Sequence, residues 1–281
     1  MKMIVRFWGA RGSIPVSGRD YLKYGGDTTC LEIRTEDDEI IVIDAGSGIR
    51  RLGNRLIAES RNHFALLFTH AHWDHLMGFP FFKPNYVAGT SIAVYGCPFV
   101  QTSIKQMIAN IMLPPYFPVD FSDLKADINY HETCGTIFTH QAVQVTTISL
   151  SHPNQGIGYK FFENGKNFIF LTDNELGHRH PGGLAYEDYV AFSYQADVLV
   201  HDAEYREEDY RLTRGWGHSV YKQALQLAID AQVTKFGLFH HNQERSDAAV
   251  DEIVADCRRI VKEQRSSLEC FAVHQDMEIS I

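Results

Sequence analysis

The sequence has few cysteines, and their arrangement suggests neither a metal site nor a disulfide framework. The five cysteines are scattered, odd in number and never form a Cys-x-x-Cys pair. Such spacing argues against both a thiolate zinc site and a small domain stapled by disulfides. It indicates a reducing compartment, and we therefore expect a cytoplasmic protein.

Long hydrophobic runs and an excess of positive charge are also missing. No apolar run is long enough to span a bilayer, and the amino terminus places Arg6 where a signal peptide would have its apolar core. The net charge of −9 opposes the general attraction to a polyphosphate backbone that most nucleic-acid-binding proteins use. The composition therefore predicts no membrane partner and disfavours folded RNA.

The order of apolar segments indicates an α/β protein without linkers, repeats or low-complexity tracts. The predicted strands are 3–8, 31–35, 39–43, 64–68, 92–95, 143–150, 158–162, 167–171, 198–200, 236–239, 269–273 and 277–281. The predicted helices are 47–60, 100–109, 220–231 and 247–263. This order predicts sheets covered by helices, and the length of 281 residues suits one domain over residues 1–281.

The strongest chemical signal is a cluster of histidines and an aspartate. His70, His72, Asp74 and His75 fall within six positions, directly after the apolar run 64–68. An extended His-x-His sends both imidazoles to the same side, and the turn that follows swings the Asp-His pair across. One loop can thus serve two neighbouring metals. Imidazole and carboxylate ligands without nearby thiolates favour an open, catalytic zinc, iron or manganese site.

This motif resembles that of the metallo-β-lactamase superfamily, and further landmarks follow in the family's order over nearly the whole chain. The resemblance implies an αββα sandwich of two mixed β-sheets flanked by helices. It implies further ligands at His152 in Ser-His-Pro, Asp173 in Leu-Thr-Asp and His240 in Phe-His-His. Asp44 in Asp-Ala-Gly resembles an aspartate that supports the metal loop by hydrogen bonds rather than binding metal.

Carried over residue by residue, the resemblance implies two metal sites joined by one carboxylate. The first site takes His70, His72 and His152, the second takes Asp74, His75 and His240, and Asp173 bridges both. The implied cofactors are two divalent ions, Zn²⁺ in the first place and Mn²⁺ or Fe²⁺ as alternatives. His241 is the alternative to His240, because alternation along the preceding strand turns these two side chains to opposite sides. An aspartate at 173, where β-lactam hydrolases of the fold often have cysteine, argues against antibiotic degradation.

Two later motifs resemble the ribonuclease Z-like phosphodiesterase branch, and thioester hydrolases of the fold generally lack them. Asp202 lies in His-Asp-Ala-Glu and His218 in Gly-His-Ser. Expulsion of an alkoxide from a phosphodiester benefits from a proton supplied by an imidazole. We therefore predict that His218, oriented by Asp202, is catalytic together with the metal-binding Asp74. The alternative is that His218 merely precedes a helix capped by Ser219.

The implied reaction is attack on phosphorus by a hydroxide bridging the two metals, with His218 assisting the leaving oxygen. In ribonuclease Z enzymes a flexible substrate-gripping arm usually separates the third-motif histidine from the bridging aspartate. Here only residues 153–172 separate His152 from Asp173. We therefore predict a small phosphodiester substrate, a cyclic nucleotide or dinucleotide. The alternatives are a tRNA 3′-processing endonuclease, a thioester or lactone hydrolase of the same fold, and a non-catalytic ligand-binding module.

Two segments have more than one interpretation. In the loop 9–15, Arg11 offers a fixed positive charge to an anionic substrate, although ordinary tight turns need the same glycines. Residues 98–135 carry apolar side chains beyond the core motifs. These side chains have three alternative interpretations: a lid over the site, burial against the domain, or a homodimer contact.

Overall fold

The computed structural model describes residues 2–99 and 102–281, and within these ranges the strands form two seven-stranded sheets. The strands are β1 (Ile4–Gly9), β2 (Cys30–Arg34), β3 (Ile40–Ile43), β4 (His63–Leu67), β5 (Ser91–Gly96), β6 (Asp127–Glu132), β7 (Ile137–His140), β8 (Val143–Ser149), β9 (Ile157–Glu163), β10 (Lys166–Leu171), β11 (Val198–Asp202), β12 (Lys235–Phe239), β13 (Glu269–Ala272) and β14 (Glu278–Ser280). The α-helices are α1 (Ile49–Ala58), α2 (Trp73–Leu76), α3 (Ile104–Asn110), α4 (Tyr186–Ser193), α5 (Glu207–Thr213), α6 (Tyr221–Asp230) and α7 (Asp247–Glu263). Among the described residues, no helix is both long and apolar enough to cross a membrane.

The strand order explains where loops converge. One sheet has the order β14-β1-β2-β3-β4-β5-β6, and the other has the order β13-β12-β11-β10-β9-β8-β7. Strands β3 to β6 are parallel to one another, as are β10 to β13, whereas the hairpin strands pair antiparallel. Parallel strands end at the same edge of a sheet, so the loops after β3 and β4 lie together, as do those after β10, β11 and β12.

Apolar side chains form three layers. Phe7 and Phe170 belong to the layer between the two sheets. Leu52 of α1 packs on the outer face of the first sheet, and Leu225 of α6 and Val254 of α7 pack on the outer face of the second. Helices thus cover both outer faces, and the predicted α/β sandwich with two mixed sheets is confirmed.

The hairpin between β9 and β10 is as short as the sequence predicts. Its turn residues, Asn164 and Gly165, have φ of +48° and +79°, the left-handed values that a type I′ turn requires. Glu163 pairs directly with Lys166 across the turn. The chain therefore carries no inserted arm between these two strands.

The expectation from cysteine spacing is wrong for one pair. Cys97 and Cys134 form a disulfide, with Cα atoms 5.0 Å apart although 37 residues separate them along the chain. They follow β5 and β6, which are neighbouring parallel strands. Spacing along the sequence does not show this proximity, because strand pairing creates it. Cys30, Cys257 and Cys270 are buried thiols.

The segment 98–135 divides between the core and the surface. Met107 and Met112 are buried against the outer face of the first sheet, whereas Tyr116 is almost fully exposed. Burial against the domain is therefore correct for one face of this segment. The predicted helix 100–109 begins at Ile104 in the structure, and residues 100 and 101 lie outside the described ranges.

Candidate active site

Three predicted site residues stand just beyond strand ends in a left-handed backbone conformation. Asp44, Asp173 and His240 follow β3, β10 and β12, with φ of +60°, +54° and +58°. Such values are uncommon for residues other than glycine and cost on the order of 1 kcal/mol or more each. All three side chains are buried, and each takes part in at least one side-chain hydrogen bond.

The first group of candidate ligands contains three neutral imidazoles. His70, His72, His152 and Asp173 have ligand atoms within 4.8 Å of one another. Asp173 Oδ2 lies 3.4 Å from His70 Nε2 and 3.7 Å from His152 Nε2. Burial lowers the pKa of each of these imidazoles, that of His152 to about 3. Each imidazole is therefore neutral and has one ring nitrogen with a lone pair that a metal ion could bind.

The second group faces the other oxygen of the same carboxylate. It contains Asp74, His75, Asp173 and His240, all buried. Asp173 Oδ1 lies 3.3 Å from His75 Nε2 and 3.4 Å from His240 Nε2, and Asp74 Oδ2 lies 3.1 Å from His240 Nε2. The two oxygens of Asp173 thus face different groups, the arrangement expected of a carboxylate that bridges two cations.

The charges of these groups fit divalent cations. Burial alone would raise the pKa values of Asp74 and Asp173, but His75 and His240 hold both well below their usual range. Burial alone would lower the pKa values of His75 and His240. The neighbouring carboxylates, Asp173 above all, outweigh burial and raise both pKa values well above the usual range. Buried negative charge of this density requires positive charge, from protons or from metal ions. His70 Nε2 and His75 Nε2 are buried without a hydrogen-bond partner among the described residues, which also fits metal ligation.

Two carboxylates behind the groups orient imidazoles. Asp44 Oδ2 accepts a hydrogen bond from His75 Nδ1 at 2.7 Å, the role that the family resemblance implies. Glu204, which the sequence analysis did not assign, acts likewise on His240, whose Nδ1 donates to Glu204 Oε2 at 2.8 Å. A carboxylate on Nδ1 fixes the tautomer and leaves Nε2 for a metal. The available sequence signal for Glu204 was its place two residues after Asp202.

We expect Glu204→Gln to weaken metal binding by about 10- to 100-fold, because a neutral amide no longer raises the basicity of His240 or fixes its tautomer. Competition with a chromophoric chelator measures this affinity. Glu208→Gln, an exposed position of α5, is the matched control. Equal affinity in both variants would show that Glu204 does not act on the metal site.

His218 lies against the second group. Its ring stacks on that of His240, with centroids 4.6 Å apart. Its Nδ1 is 3.1 Å from Asp202 Oδ2 and 3.5 Å from Glu204 Oε2. Burial lowers the pKa of His218, but these two carboxylates raise it more, to about 9. A protonated imidazole beside the candidate metal site is suited to donate a proton.

Helix capping does not account for the sequence around His218. Ser219 Oγ donates to the carbonyl of Asn174 at 2.6 Å, and the residue at the amino-terminal cap of α6 is Val220. The capping alternative for Ser219 is therefore wrong. Instead, the hydrogen bond from Ser219 to Asn174 joins the loop of His218 to the turn after β10.

The loop that carries His218 is also held by Glu175, a buried carboxylate that the sequence analysis missed. Glu175 accepts hydrogen bonds of 2.6–2.8 Å from Gly215 N, Gly217 N, Tyr210 Oη and His180 Nε2. The carbonyl of Gly217 in turn accepts from His152 Nδ1 at 2.9 Å. Position 217 has φ of +99°, and a Cβ there would lie 2.0 Å from that ring nitrogen, so only glycine fits. The place of Glu175 two residues after Asp173 gives no sequence signal for this role.

The other histidines near the strand ends make structural contacts. His241 Nε2 donates to the carbonyl of Val273 at 2.7 Å, and His201 bonds to Asn174. Neither belongs to the two groups around Asp173. Of the two alternatives for the last ligand, the structure thus places His240 at the cluster.

Arg11 does not face the candidate site. It is 1% exposed, and its guanidinium donates to the carbonyls of Gly25, Asn242 and Arg245. The suggested contact with an anionic substrate is therefore wrong, because the donors already hold loops together. The same loop does reach the site two residues later, where Ser13 N donates to Oδ2 of the candidate ligand Asp74 at 2.8 Å.

We expect Arg11→Met to lower the free energy of unfolding by about 3 kcal/mol, since buried carbonyls left without donors cost roughly 1–3 kcal/mol each. The kcat of the folded variant should stay near that of the wild type. Urea denaturation and steady-state kinetics measure the two effects, with exposed Arg50→Met as control. A large loss of kcat at unchanged stability would instead show that Arg11 contacts the substrate.

A comparison with protein families shows which superfamily the chain belongs to. A family model described as the β-lactamase superfamily domain matches residues 39–241, a span that includes every candidate ligand. The chain belongs to this superfamily. The predicted superfamily and its ribonuclease Z-like branch are confirmed, and so is the prediction of a metal-dependent hydrolase.

Relatives and solved structures align with this chain over almost its full length. Ribonuclease Z of Lactobacillus gasseri is 23% identical, with 96% of this chain and 99% of the relative covered. The metallo-β-lactamase fold protein YhfI of Bacillus subtilis has a TM-score of 0.72 at 16% identity, with 99% of both chains covered. The short form of human tRNase Z has a TM-score of 0.67 at 20% identity, also with 99% of both chains covered. The structural likenesses concern the fold.

Proposed function

We propose that the protein is a binuclear metal-dependent phosphodiesterase that hydrolyses a small phosphodiester, a cyclic nucleotide or dinucleotide. One observation carries the proposal. Asp173 directs Oδ2 at His70 and His152 and Oδ1 at His75 and His240, at 3.3–3.7 Å. Zn²⁺ is the proposed ion, and Mn²⁺ or Fe²⁺ suits the same nitrogen and oxygen ligands.

The residues divide the chemistry between them. Divalent ions in these groups would polarise the phosphoryl oxygens and supply a nucleophile at neutral pH. His218 holds a proton, because Asp202 and Glu204 stabilise its charged form, and donates it to the leaving oxygen. Asp202 fixes the orientation of that ring through Nδ1. The backbone N–H of Ser13 donates a hydrogen bond to Asp74 Oδ2 and so orients this carboxylate.

The short β9–β10 hairpin favours a small substrate. It leaves no inserted arm between His152 and Asp173 with which to grip a folded RNA. The alignment with the Lactobacillus gasseri relative spans 322 positions against 281 residues here, so that relative has residues that this chain lacks. The net charge of −9 points the same way.

The second candidate function is endonucleolytic tRNA 3′ processing, which the names of the relatives favour. A thioester or lactone hydrolase is disfavoured by the Asp202–His218 pair. A ligand-binding module is disfavoured by the complete set of candidate ligands.

A panel of substrates on metal-loaded protein separates these functions. It contains cyclic mononucleotides, cyclic dinucleotides, a precursor tRNA with a 3′ extension, and a thioester. We expect the highest kcat/KM on a cyclic nucleotide or dinucleotide. Preferred cleavage of the precursor tRNA would establish the second candidate instead.

A cytoplasmic location is part of the proposal. The buried thiols Cys30, Cys257 and Cys270 support it, whereas the Cys97–Cys134 disulfide favours an oxidising environment. Labelling of free thiols in protein isolated under acid quench tests the location. Reduced Cys97 and Cys134 are expected if the protein is cytoplasmic.

A further inference from the structure

The turn after β10 is bound to the residue before one of the candidate ligands. This turn begins with Asp173. Asn174 Oδ1 accepts a hydrogen bond from Ser151 N at 2.8 Å, and the carbonyl of Ser151 accepts one from Glu175 N, also at 2.8 Å. Ser151 directly precedes His152. The backbone at one ligand of the first group is therefore fixed to the turn that carries the bridging carboxylate.

The side chain of Glu175 extends this connection to the loop that carries His218. Its Oε1 accepts from Gly215 N at 2.7 Å, and its Oε2 accepts from Gly217 N at 2.8 Å. The carbonyl of Gly217 accepts from His152 Nδ1 at 2.9 Å. Glu175 thus holds a residue whose carbonyl orients a candidate ligand and whose next neighbour is the proposed proton donor.

Only a carboxylate can make all the contacts of Glu175. Besides the two backbone N–H groups, Oε1 accepts from Tyr210 Oη and Oε2 accepts from His180 Nε2. Each oxygen therefore receives two donors, one of them a backbone N–H. An amide in this place would turn its NH₂ group toward one of the two oxygens' donors, and a backbone N–H cannot accept a hydrogen bond. Glutamine would therefore lose at least one anchor of the loop.

We propose that Glu175 is a positioning residue that ties the proton donor His218 to the first group of candidate ligands. The inference rests on the proposed function. Glu175 belongs to none of the groups of candidate ligands, and protein donors already saturate both of its oxygens. It therefore acts through Gly217, which keeps the ring of His152 aimed at the first group and sets the backbone of His218.

The proposal predicts two effects of Glu175→Gln at once. A loosened Gly217 no longer fixes the ring of His152, so Zn²⁺ should bind the first group about 10- to 100-fold more weakly. A displaced His218 should lower kcat on a cyclic nucleotide by about 10²-fold at saturating Zn²⁺, the cost of a misplacement of about 1 Å. KM should change little, because Glu175 does not touch the substrate.

Competition with a chromophoric chelator measures the first effect, and steady-state kinetics measure the second. On bis(p-nitrophenyl) phosphate the loss of kcat should be small, because p-nitrophenolate departs without a proton. Glu163→Gln is the matched control, since Glu163 is a buried carboxylate that accepts from Glu36 N at the opposite end of β10 from Asp173. A Glu175→Gln variant that loses stability alone, as we expect of Glu163→Gln, would overturn the proposal.

A double-mutant cycle shows whether Glu175 acts through His218. In His218→Ala protein, the added Glu175→Gln should cost little further kcat on the cyclic nucleotide, whereas independent effects would multiply. Multiplication of the two losses would overturn the connection to the proton donor.

A milder variant covers the case in which Glu175→Gln does not fold. Tyr210→Phe removes one donor and keeps the carboxylate, so both effects should appear at about 3- to 10-fold, the scale of one hydrogen bond. Wild-type Zn²⁺ binding and kcat in folded Tyr210→Phe, beside an unfolded Glu175→Gln, would overturn the proposal.

The binding measurement also separates failure of this proposal from failure of the proposed function. Weaker Zn²⁺ binding in Glu175→Gln, with no phosphodiester hydrolysed by the wild type, would contradict the phosphodiesterase and retain the positioning of His152. Hydrolysis by the wild type, with unchanged Zn²⁺ binding and kcat in Glu175→Gln, would retain the phosphodiesterase and overturn the role of Glu175.

Discussion

Replacement of Asp173 by alanine is expected to remove metal from both groups and to lower kcat/KM by about 10⁴-fold or more, the scale seen when a residue essential to a catalytic unit is lost. The reason lies in the geometry. Each oxygen of this carboxylate faces a different set of imidazoles, at 3.3–3.7 Å. No other described carboxylate contacts both groups in this way.

The measurement is elemental analysis of purified variants beside steady-state kinetics. His72→Ala is the informative comparison, because His72 belongs to the first group alone and its loss should cost about one ion. Asp37→Ala, at an exposed position, controls for the loss of a carboxylate. Circular dichroism verifies the fold of each variant. Two ions per chain retained in folded Asp173→Ala would contradict the bridging role.

Replacement of His218 by alanine is expected to lower kcat by about 10²- to 10⁴-fold while the metal content stays at the wild-type level. His218 contacts Asp202 and Glu204 but lies outside the two groups around Asp173. Its loss should therefore remove a proton donor and leave the ligands in place.

The leaving group makes this test specific to proton donation. An alkoxide needs a proton as it departs, whereas p-nitrophenolate departs as a delocalised anion. The loss in His218→Ala should be large for a cyclic nucleotide and small for bis(p-nitrophenyl) phosphate. His178→Ala changes a half-buried loop histidine and serves as control. An equal loss on both substrates would assign His218 a role other than proton donation.

The sequence predicted those parts of the site that are local or that a family motif records. His70, His72, Asp74 and His75 lie in one short loop, so their proximity follows from backbone geometry. The distant members, such as Asp173, came from the resemblance, and the structure brings them together. Their roles in metal binding and catalysis stay predictions, as does the description of residues 1–281 as a single domain.

Features made by long-range packing could not be predicted. Glu175 and Glu204 each lie two positions after a predicted site residue, but only the fold shows that their carboxylates orient a loop and an imidazole. Arg11 looked available to a substrate because nothing in its loop reveals the carbonyls that surround it. The Cys97–Cys134 disulfide likewise depends on strand pairing.

The missed secondary structure has a related cause. Strands β6 and β7 lie at the edges of their sheets and are largely exposed, so neither presents the continuous apolar run of a buried strand. Helix α5 has no buried residue and carries no apolar stripe. Patterning identifies elements by the face that they bury, and these elements bury little.

Titration of metal-stripped protein with Zn²⁺, with hydrolysis of bis(p-nitrophenyl) phosphate and of a thioester followed in parallel, tests the central claim most directly. We predict phosphodiester hydrolysis that rises with added metal and saturates at two ions per chain, with little turnover of the thioester. Hydrolysis of the thioester alone, or saturation of phosphodiester hydrolysis at one ion, would contradict a binuclear phosphodiesterase.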